Sequence, residues 1–190
     1  MSHHEQVISN SLAGKVFLNT EVKAERCYQC GKCSAGCPVV DQMDYPPSQL
    51  LRLLQTETPE NDEKVLRSYT IWLCLNCEMC IGRCPMEVDI PPMMDFLRGE
   101  SIRLKMVHPK ARNIISFHRS FLNSIRHTGR LFEFGLIVDY KMRSFHLSQD
   151  VMLAPKMIIK GKLGFIPEMI KKISDMKRIF SKTLKEGGQS

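Results

Sequence analysis

Two short stretches of the chain share one pattern of cysteines. Residues 27–38 read CYQCGKCSAGCP and residues 74–85 read CLNCEMCIGRCP, so each has the spacing C-x2-C-x2-C-x3-C followed by proline. Each cysteine of the first stretch has a counterpart 47 residues further on, and these eight are all the cysteines of the chain. The pattern is therefore an internal duplication, and we call the two copies motif one (27–38) and motif two (74–85).

This spacing is the one with which bacterial ferredoxins hold cubane [4Fe–4S] clusters. Three cysteines at short intervals can wrap a loop around one cluster, while the fourth leaves the loop and ligates the other cluster. We therefore predict two [4Fe–4S] clusters with crossed ligation. Cluster one is assigned to Cys27, Cys30, Cys33 and Cys84, and cluster two is assigned to Cys74, Cys77, Cys80 and Cys37.

Zinc and disulfides are the competing uses of eight cysteines. Structural zinc sites usually take cysteine pairs separated by a longer loop, which the duplicated spacing fits poorly. If all eight thiols ligate iron, none is left as a nucleophile and no iron is open to substrate. The pattern therefore predicts an electron relay with no catalytic residue of its own.

The residues between the ligands suggest how the loops turn. Gly31, Gly36 and Gly82 are expected to adopt positive φ and to let backbone N–H groups approach the sulfurs. Pro38 and Pro85 are expected to make the chain rigid where it leaves each motif.

Composition indicates a folded protein without a membrane span. The chain has 190 residues, of which 43% are hydrophobic and 25% charged. Its longest run without a charged residue is ten residues, Ser68–Cys77, whereas a spanning helix needs roughly 20 apolar residues. The first residues, MSHHEQVISNSLAGK, lack the pattern of a secretory signal. We therefore expect a cytoplasmic protein, in which cysteines are more often metal ligands than disulfides.

Charge divides the chain into two unlike halves. Residues 1–100 hold 9 Lys+Arg and 14 Asp+Glu, whereas residues 101–190 hold 18 and 6, so the halves carry −5 and +12. The basic half contains no cysteine. Docking onto acidic partner subunits is our leading interpretation of its charge. No nucleic-acid-binding motif is present, and attachment of the last basic helix to a membrane surface ranks below partner docking.

Helical periodicity dominates between and after the motifs, so we predict an all-α fold in which an α-helical ferredoxin module is followed by a helical extension. The predicted helices are 49–54, 63–69, about 89–105, one beginning at 108–109 and broken at Gly129, 131–142 and 167–184. A looser stretch is expected around residues 155–167. The predicted domains are an N-terminal segment (1–20), the ferredoxin-type domain (21–105) and a basic extension for partner docking (106–190).

The chain resembles the C subunits of the heterodisulfide reductases of methanogenic archaea. The resemblance rests on both motifs at this separation, on PPSQLLRLLQ at residues 46–55, and on IWLCLNCEMC at residues 71–80. It covers about residues 10–105, and the length and basic helical tail also suit such a protein.

The resemblance implies a place in an oxidoreductase complex. Such a protein passes electrons from a flavin- and iron–sulfur-containing A subunit to a B subunit, whose non-cubane clusters reduce the coenzyme M–coenzyme B heterodisulfide in methanogenesis. In the cytoplasmic system the A subunit bifurcates electrons that a hydrogenase or a formate dehydrogenase supplies.

Two other functions remain open on sequence alone. Iron–sulfur subunits of glycolate oxidase, of fumarate reductase or succinate dehydrogenase, and of sulfur-metabolism complexes share related cysteine arrangements. A zinc-stabilised nucleic-acid or scaffold protein is the alternative from a different class, and it is suggested by the basic half.

Overall fold

The computed structural model describes residues 11–144, 157, 159–160, 164 and 167–186, and in those residues it contains helices and no strands. The predicted all-α fold is thus confirmed. Within the same residues, no helix is long and apolar enough to cross a membrane. The looser stretch predicted around residues 155–167 lies mostly outside the described residues, as does the first half of the predicted N-terminal segment.

The chain divides into two compact units, Met1–Ala111 and Arg112–Ser190. The described part of the first unit has six α-helices, with short 3-10 turns at Ala24–Arg26, Val40–Gln42 and Pro109–Ala111. The helices are α1 (Leu12–Thr20), α2 (Lys32–Ala35), α3 (Pro47–Gln55), α4 (Pro59–Leu66), α5 (Thr70–Leu73) and α6 (Ile90–Arg103).

The helices predicted between and after the motifs are present with shifted ends. Helix α3 and helix α6 agree with the predicted segments to within about two residues. Helix α4 begins at Pro59, which occupies its first turn, and ends three residues before the predicted end at residue 69. Helices α1, α2 and α5 are not predicted, because α1 has little alternation and the other two have four residues each.

A small apolar core joins these helices and fixes where the motifs lie. Leu50 and Leu54 of α3 are fully buried, as are Val65 of α4 and Leu97 of α6. Helix α3 packs against α4, and α6 packs against α1, α4 and α5. Fully burying a side chain of this size contributes about 1.5–3 kcal/mol, so the core holds together the helices that flank both motifs.

Asp44 connects the segment that leaves motif one to the helix that leads into motif two. Its carboxylate accepts the backbone N–H of Tyr69 at 2.7 Å, the N–H of Thr70 at 2.9 Å and the Thr70 hydroxyl at 2.7 Å. These groups form the start of α5, where backbone N–H groups otherwise lack a partner. Partial burial would raise the pKa of Asp44, but the hydrogen bonds from Tyr69 and Thr70 outweigh it and lower the pKa.

The second unit contains α7 (Arg112–Thr128), α8 (Glu133–Ser144) and α9 (Ile173–Glu186), with α7 packed against both others. Helix α7 ends at Gly129, which has a φ of 76° as a helix-terminating glycine requires. Helix α9 begins six residues later than predicted. The reason is that the Ile170 N–H donates to the carbonyl of Thr128 at 3.2 Å, so residues 167–170 lie outside the helix.

We expect Asp44→Asn to destabilise the first unit by about 1–3 kcal/mol, because an amide replaces a charged acceptor of several hydrogen bonds. A carboxylate whose pKa is lowered by folding stabilises the fold above its ordinary range, and it loses that contribution as the pH falls through the lowered value. Differential scanning calorimetry of the anaerobic protein at neutral pH measures the loss as a lower Tm. The exposed Glu57→Gln is the control, and an unchanged Tm in Asp44→Asn would contradict the capping role.

Candidate iron–sulfur site

The two motifs follow the same backbone path around their second cysteine. In motif one, Gln29 before Cys30 has a φ of 63° and Gly31 after it has a φ of 76°. In motif two, the equivalent Asn76 and Glu78 have φ values of 50° and 61°. The duplication of spacing is therefore also a duplication of conformation. Three of these four left-handed residues are not glycine, which is uncommon and often marks functional sites.

The expectation for the glycines is correct only at Gly31. Gly36 has a φ of −106°, and Gly82 is likewise outside the left-handed region. At Gly36 the constraint is space, because a Cβ there would overlap the guanidinium of Arg83. Nothing lies within 4 Å of a Cβ built on Gly82, so no feature of the structure requires a glycine there.

A glutamine of helix α3 holds the start of motif one. Gln55 Nε2 donates to the carbonyl of Cys27 at 2.6 Å and to the carbonyl of Ala24 at 3.0 Å. Its Oε1 accepts from Gln29 Nε2 at 3.1 Å, and the same Gln29 nitrogen lies 3.6 Å from Cys27 Sγ. Two neutral amides thus fix the first cysteine of motif one and provide a hydrogen-bond donor to its sulfur.

An arginine of helix α6 performs the same task in motif two. Arg98 donates from Nη2 to the carbonyl of Cys74 and from Nε to the carbonyl of Ile71. Its Nη1 lies 2.8 Å from Asp95 Oδ1, and Asp95 Oδ2 accepts from Asn76 Nδ2 at 2.9 Å. Asn76 is the counterpart of Gln29, so an ion pair in motif two stands where motif one has a neutral amide.

These anchors escape sequence reasoning, which concentrates on the cysteines. Gln55 is the last residue of an amphipathic helix, and Asp95 and Arg98 look like an ordinary helical pair at i and i+3. The low exposure of the Arg98 side chain, 18%, distinguishes it from the surface arginines and is visible only in the structure.

Four cysteines line one pocket that both motifs build. Cys74, Cys77 and Cys80 of motif two share it with Cys37, the last cysteine of motif one. The remaining lining is mostly apolar and consists of Pro38, Val39, Met43, Pro47, Leu75, Glu78, Met79, Ile90, Pro91 and Met94. These are the four cysteines that the sequence assigns to cluster two.

The other four cysteines also lie near one another. Burial raises the pKa of the Cys33 thiol, and the nearby Cys27 and Cys30 raise it further. The pKa of the Tyr28 phenol is raised by desolvation, by its hydrogen bond to Cys30, and by Cys30, Cys84 and Cys27. Cys84 therefore lies beside the first loop. Its sulfur accepts the backbone N–H of Val88 at 3.3 Å, an interaction of the type that influences cluster potentials.

The chemistry of the thiols fits ligands better than nucleophiles. Burial raises the pKa of Cys74, and burial with the neighbouring Cys74 raises the pKa of Cys80 to about 11. Such thiols are protonated at neutral pH, and a metal that binds them must displace the protons.

All eight cysteines are in the described residues, and none forms a disulfide. Among the described residues, no three His, Cys, Asp or Glu side chains converge closely enough to hold a single metal ion. A zinc ion needs its sulfurs within about 2.3 Å of one point. The donor set therefore fits two larger sulfur-bridged groups better than it fits zinc.

Each motif presents its second cysteine at the surface. Cys30 and Cys77 are exposed. Beside them lie Tyr28, which is 57% exposed, and its counterpart Leu75, which is 64% exposed. Both loops therefore reach a surface that another protein can contact.

We expect Gly31→Ala to cost about 1–2 kcal/mol, because the left-handed conformation is unfavourable for a residue with a Cβ. Gly82→Ala is the matched control and should stay within about 0.5 kcal/mol of the parent protein, since neither its φ nor its surroundings exclude a methyl group. The rate of cluster loss in denaturant, followed anaerobically by visible absorbance, compares the two variants. Equal rates would show that Gly31 is not conformationally required.

Comparison with known proteins identifies the module around the motifs. The 4Fe-4S dicluster domain family matches residues 23–88. The C subunit of a ferredoxin:CoB-CoM heterodisulfide reductase from Methanosarcina acetivorans is 38% identical over 78 residues, which are 41% of this chain and 30% of that protein.

Two further relatives are also C subunits of such reductases. The one from the H(2):CoB-CoM heterodisulfide,ferredoxin reductase of Methanothermobacter marburgensis is 28% identical over 123 residues, which are 62% of this chain and 64% of that protein. The iron-sulfur C 2 subunit of a CoB--CoM heterodisulfide reductase from Methanocaldococcus jannaschii is 34% identical over 89 residues, 46% of each. The matched regions thus span between 30% and 64% of these relatives' lengths.

The resemblance found in the sequence is confirmed by these matches. Residues 23–88 belong to the 4Fe-4S dicluster domains and carry two [4Fe-4S] clusters, in a chain similar to the iron–sulfur C subunits of CoB-CoM heterodisulfide reductases.

Proposed function

We propose that the chain is an electron-transfer subunit of a heterodisulfide reductase and has no catalytic residue of its own. The observation that carries the proposal is the pairing of two matched cysteine loops, each of which reaches the surface, on one helical scaffold. [4Fe–4S] clusters accept and release single electrons. Two neighbouring clusters with separate exposed edges suit transfer through the protein from one partner to another.

The proposed ligands follow crossed ligation. Cys27, Cys30, Cys33 and Cys84 hold cluster one, and Cys74, Cys77, Cys80 and Cys37 hold cluster two. The shared pocket of Cys37 with motif two supports the second set. The position of Cys84 beside Tyr28 supports the first. Because this uses all eight thiols, the chain itself has none left for disulfide chemistry on a substrate.

The proposed partners come from the relatives. Their names describe C subunits of reductases that act on the CoB–CoM heterodisulfide. We propose that this chain receives electrons from a flavin-containing A subunit and delivers them to a catalytic B subunit with non-cubane clusters. A hydrogenase or a formate dehydrogenase would supply the complex, the A subunit would bifurcate the electrons, and the complex would work in the cytoplasm.

The basic residues 106–190 are proposed to dock onto those partners. Within the described part of Arg112–Ser190, Leu136 is the only large hydrophobic side chain that is buried. Apolar side chains that remain exposed include Phe117, Leu122, Val138, Met142 and Ile179. A helical unit that buries so little of its apolar surface gains stability when a partner covers it.

Purification under strictly anaerobic conditions tests the proposed function. We expect a brown protein with about eight iron and about eight acid-labile sulfide per chain, recovered with subunits that contain flavin and further cysteine-rich motifs. A colourless zinc protein without sulfide would overturn the iron–sulfur assignment. Recovery only with a flavoprotein that oxidises hydroxyacids or dicarboxylates would instead favour the alternative, an iron–sulfur subunit of another oxidoreductase.

Crossed ligation makes a specific spectroscopic prediction. The electron paramagnetic resonance spectrum of reduced Cys84→Ser should change in the same way as that of Cys30→Ser, because both residues are assigned to cluster one. Cys37→Ser should likewise resemble Cys77→Ser, which serves as the matched comparison for cluster two. If Cys84→Ser instead resembles Cys77→Ser, each motif holds its own cluster and the proposed ligand sets are wrong.

A further inference from the structure

The two motifs are anchored by side chains of different charge. Gln55 holds the carbonyl of Cys27, and Arg98 holds the carbonyl of Cys74. The two cysteines occupy the same position in their motifs, so the scaffold solves one positioning problem twice. The neutral solution lies at cluster one and the cationic solution lies at cluster two.

The surroundings of the two sites differ in the opposite sense. The pocket around Cys74 is lined mainly by apolar side chains, with Glu78 as its only charged lining residue. The groove beside Cys27 is open and polar, and both Glu25 and Arg52 line it. Water and mobile charges therefore reach the first site more readily than the second.

This difference bears on reduction, because a cluster that takes up an electron gains one negative charge. An apolar pocket disfavours the additional charge, and a nearby cation favours it. An arginine is charged at every physiological pH, and the Arg98 side chain is only 18% exposed, so solvent screens it weakly. Asp95, at 2.8 Å, neutralises part of that charge and keeps the guanidinium directed at motif two.

We propose that Arg98 is a positioning residue that also raises the reduction potential of cluster two and so offsets the cost of placing that cluster in an apolar pocket. The proposal rests on the proposed function, since it assumes that Cys74 ligates one of two [4Fe–4S] clusters. Within that function, it makes the two clusters inequivalent by design, with the buried cation assigned to the drier one.

The experiment is a potentiometric titration of the full-length protein with dithionite as reductant, monitored by electron paramagnetic resonance. In Arg98→Gln, one of the two reduction steps should move to lower potential, while the other stays in place. Loss of one weakly screened charge should lower the ratio of reduced to oxidised cluster about tenfold at a fixed potential, a shift of about 59 mV for one electron.

Two variants separate charge from positioning. Arg98→Lys keeps the cation but not the fork that reaches two carbonyls, so its potential should stay close to that of the parent protein. A purely structural arginine would make Arg98→Lys behave like Arg98→Gln, and that result would overturn the proposal. Arg103→Gln is the matched control, because Arg103 lies on the same helix and pairs with Glu100, away from both motifs.

Asp95→Asn keeps the proposal testable if Arg98→Gln cannot hold cluster two. Removing this carboxylate leaves the arginine in place and uncovers its charge, so the same reduction step should move to higher potential. An unchanged or lowered potential in Asp95→Asn would overturn the proposal. So would an intact Arg98→Gln protein in which both steps remain in place. A protein without iron and sulfide would instead reject the proposed function itself.

Discussion

The structure depends on one constraint, which is that sulfurs from two distant segments must meet in one place. Cys37 lies in the pocket of Cys74, Cys77 and Cys80, although it is separated from Cys74 by more than two helices of sequence. A short loop can arrange three cysteines by its own conformation, but the fourth must be delivered by the rest of the fold. The core of α3, α4 and α6 delivers it, because it fixes the chain before and after each motif.

The hydrogen bonds around the motifs extend that control to individual backbone groups. Gln55, Arg98 and Asp44 each bind backbone atoms at a point where a motif begins or where the helix before it starts. Backbone groups at such points would otherwise lack partners, because the loops belong to neither helix nor sheet. The same polar side chains therefore complete the hydrogen bonding of the fold and set the electrostatic surroundings of the sulfurs.

Much of this architecture can be predicted from the sequence, because the cysteine spacing and the helical periodicity are local signals. The two clusters, the all-α fold, and helices α3 and α6 follow from them. The positive φ of Gln29, Asn76 and Glu78 could not be predicted, since their side chains do not favour that conformation as strongly as glycine does. The expected left-handed Gly36 is instead explained by Arg83, a contact across 47 residues that periodicity does not contain.

Asp44 has a consequence for how the two sites form. Its carboxylate belongs to the segment that leaves motif one, yet the groups it binds start the helix that ends at Cys74. The second loop is therefore in place only when the exit from the first is in place. By thermodynamic linkage, whatever stabilises one loop also favours the folded form of the other. Loading of the chain with iron and sulfide is then cooperative, and a half-filled chain is disfavoured relative to empty and full ones.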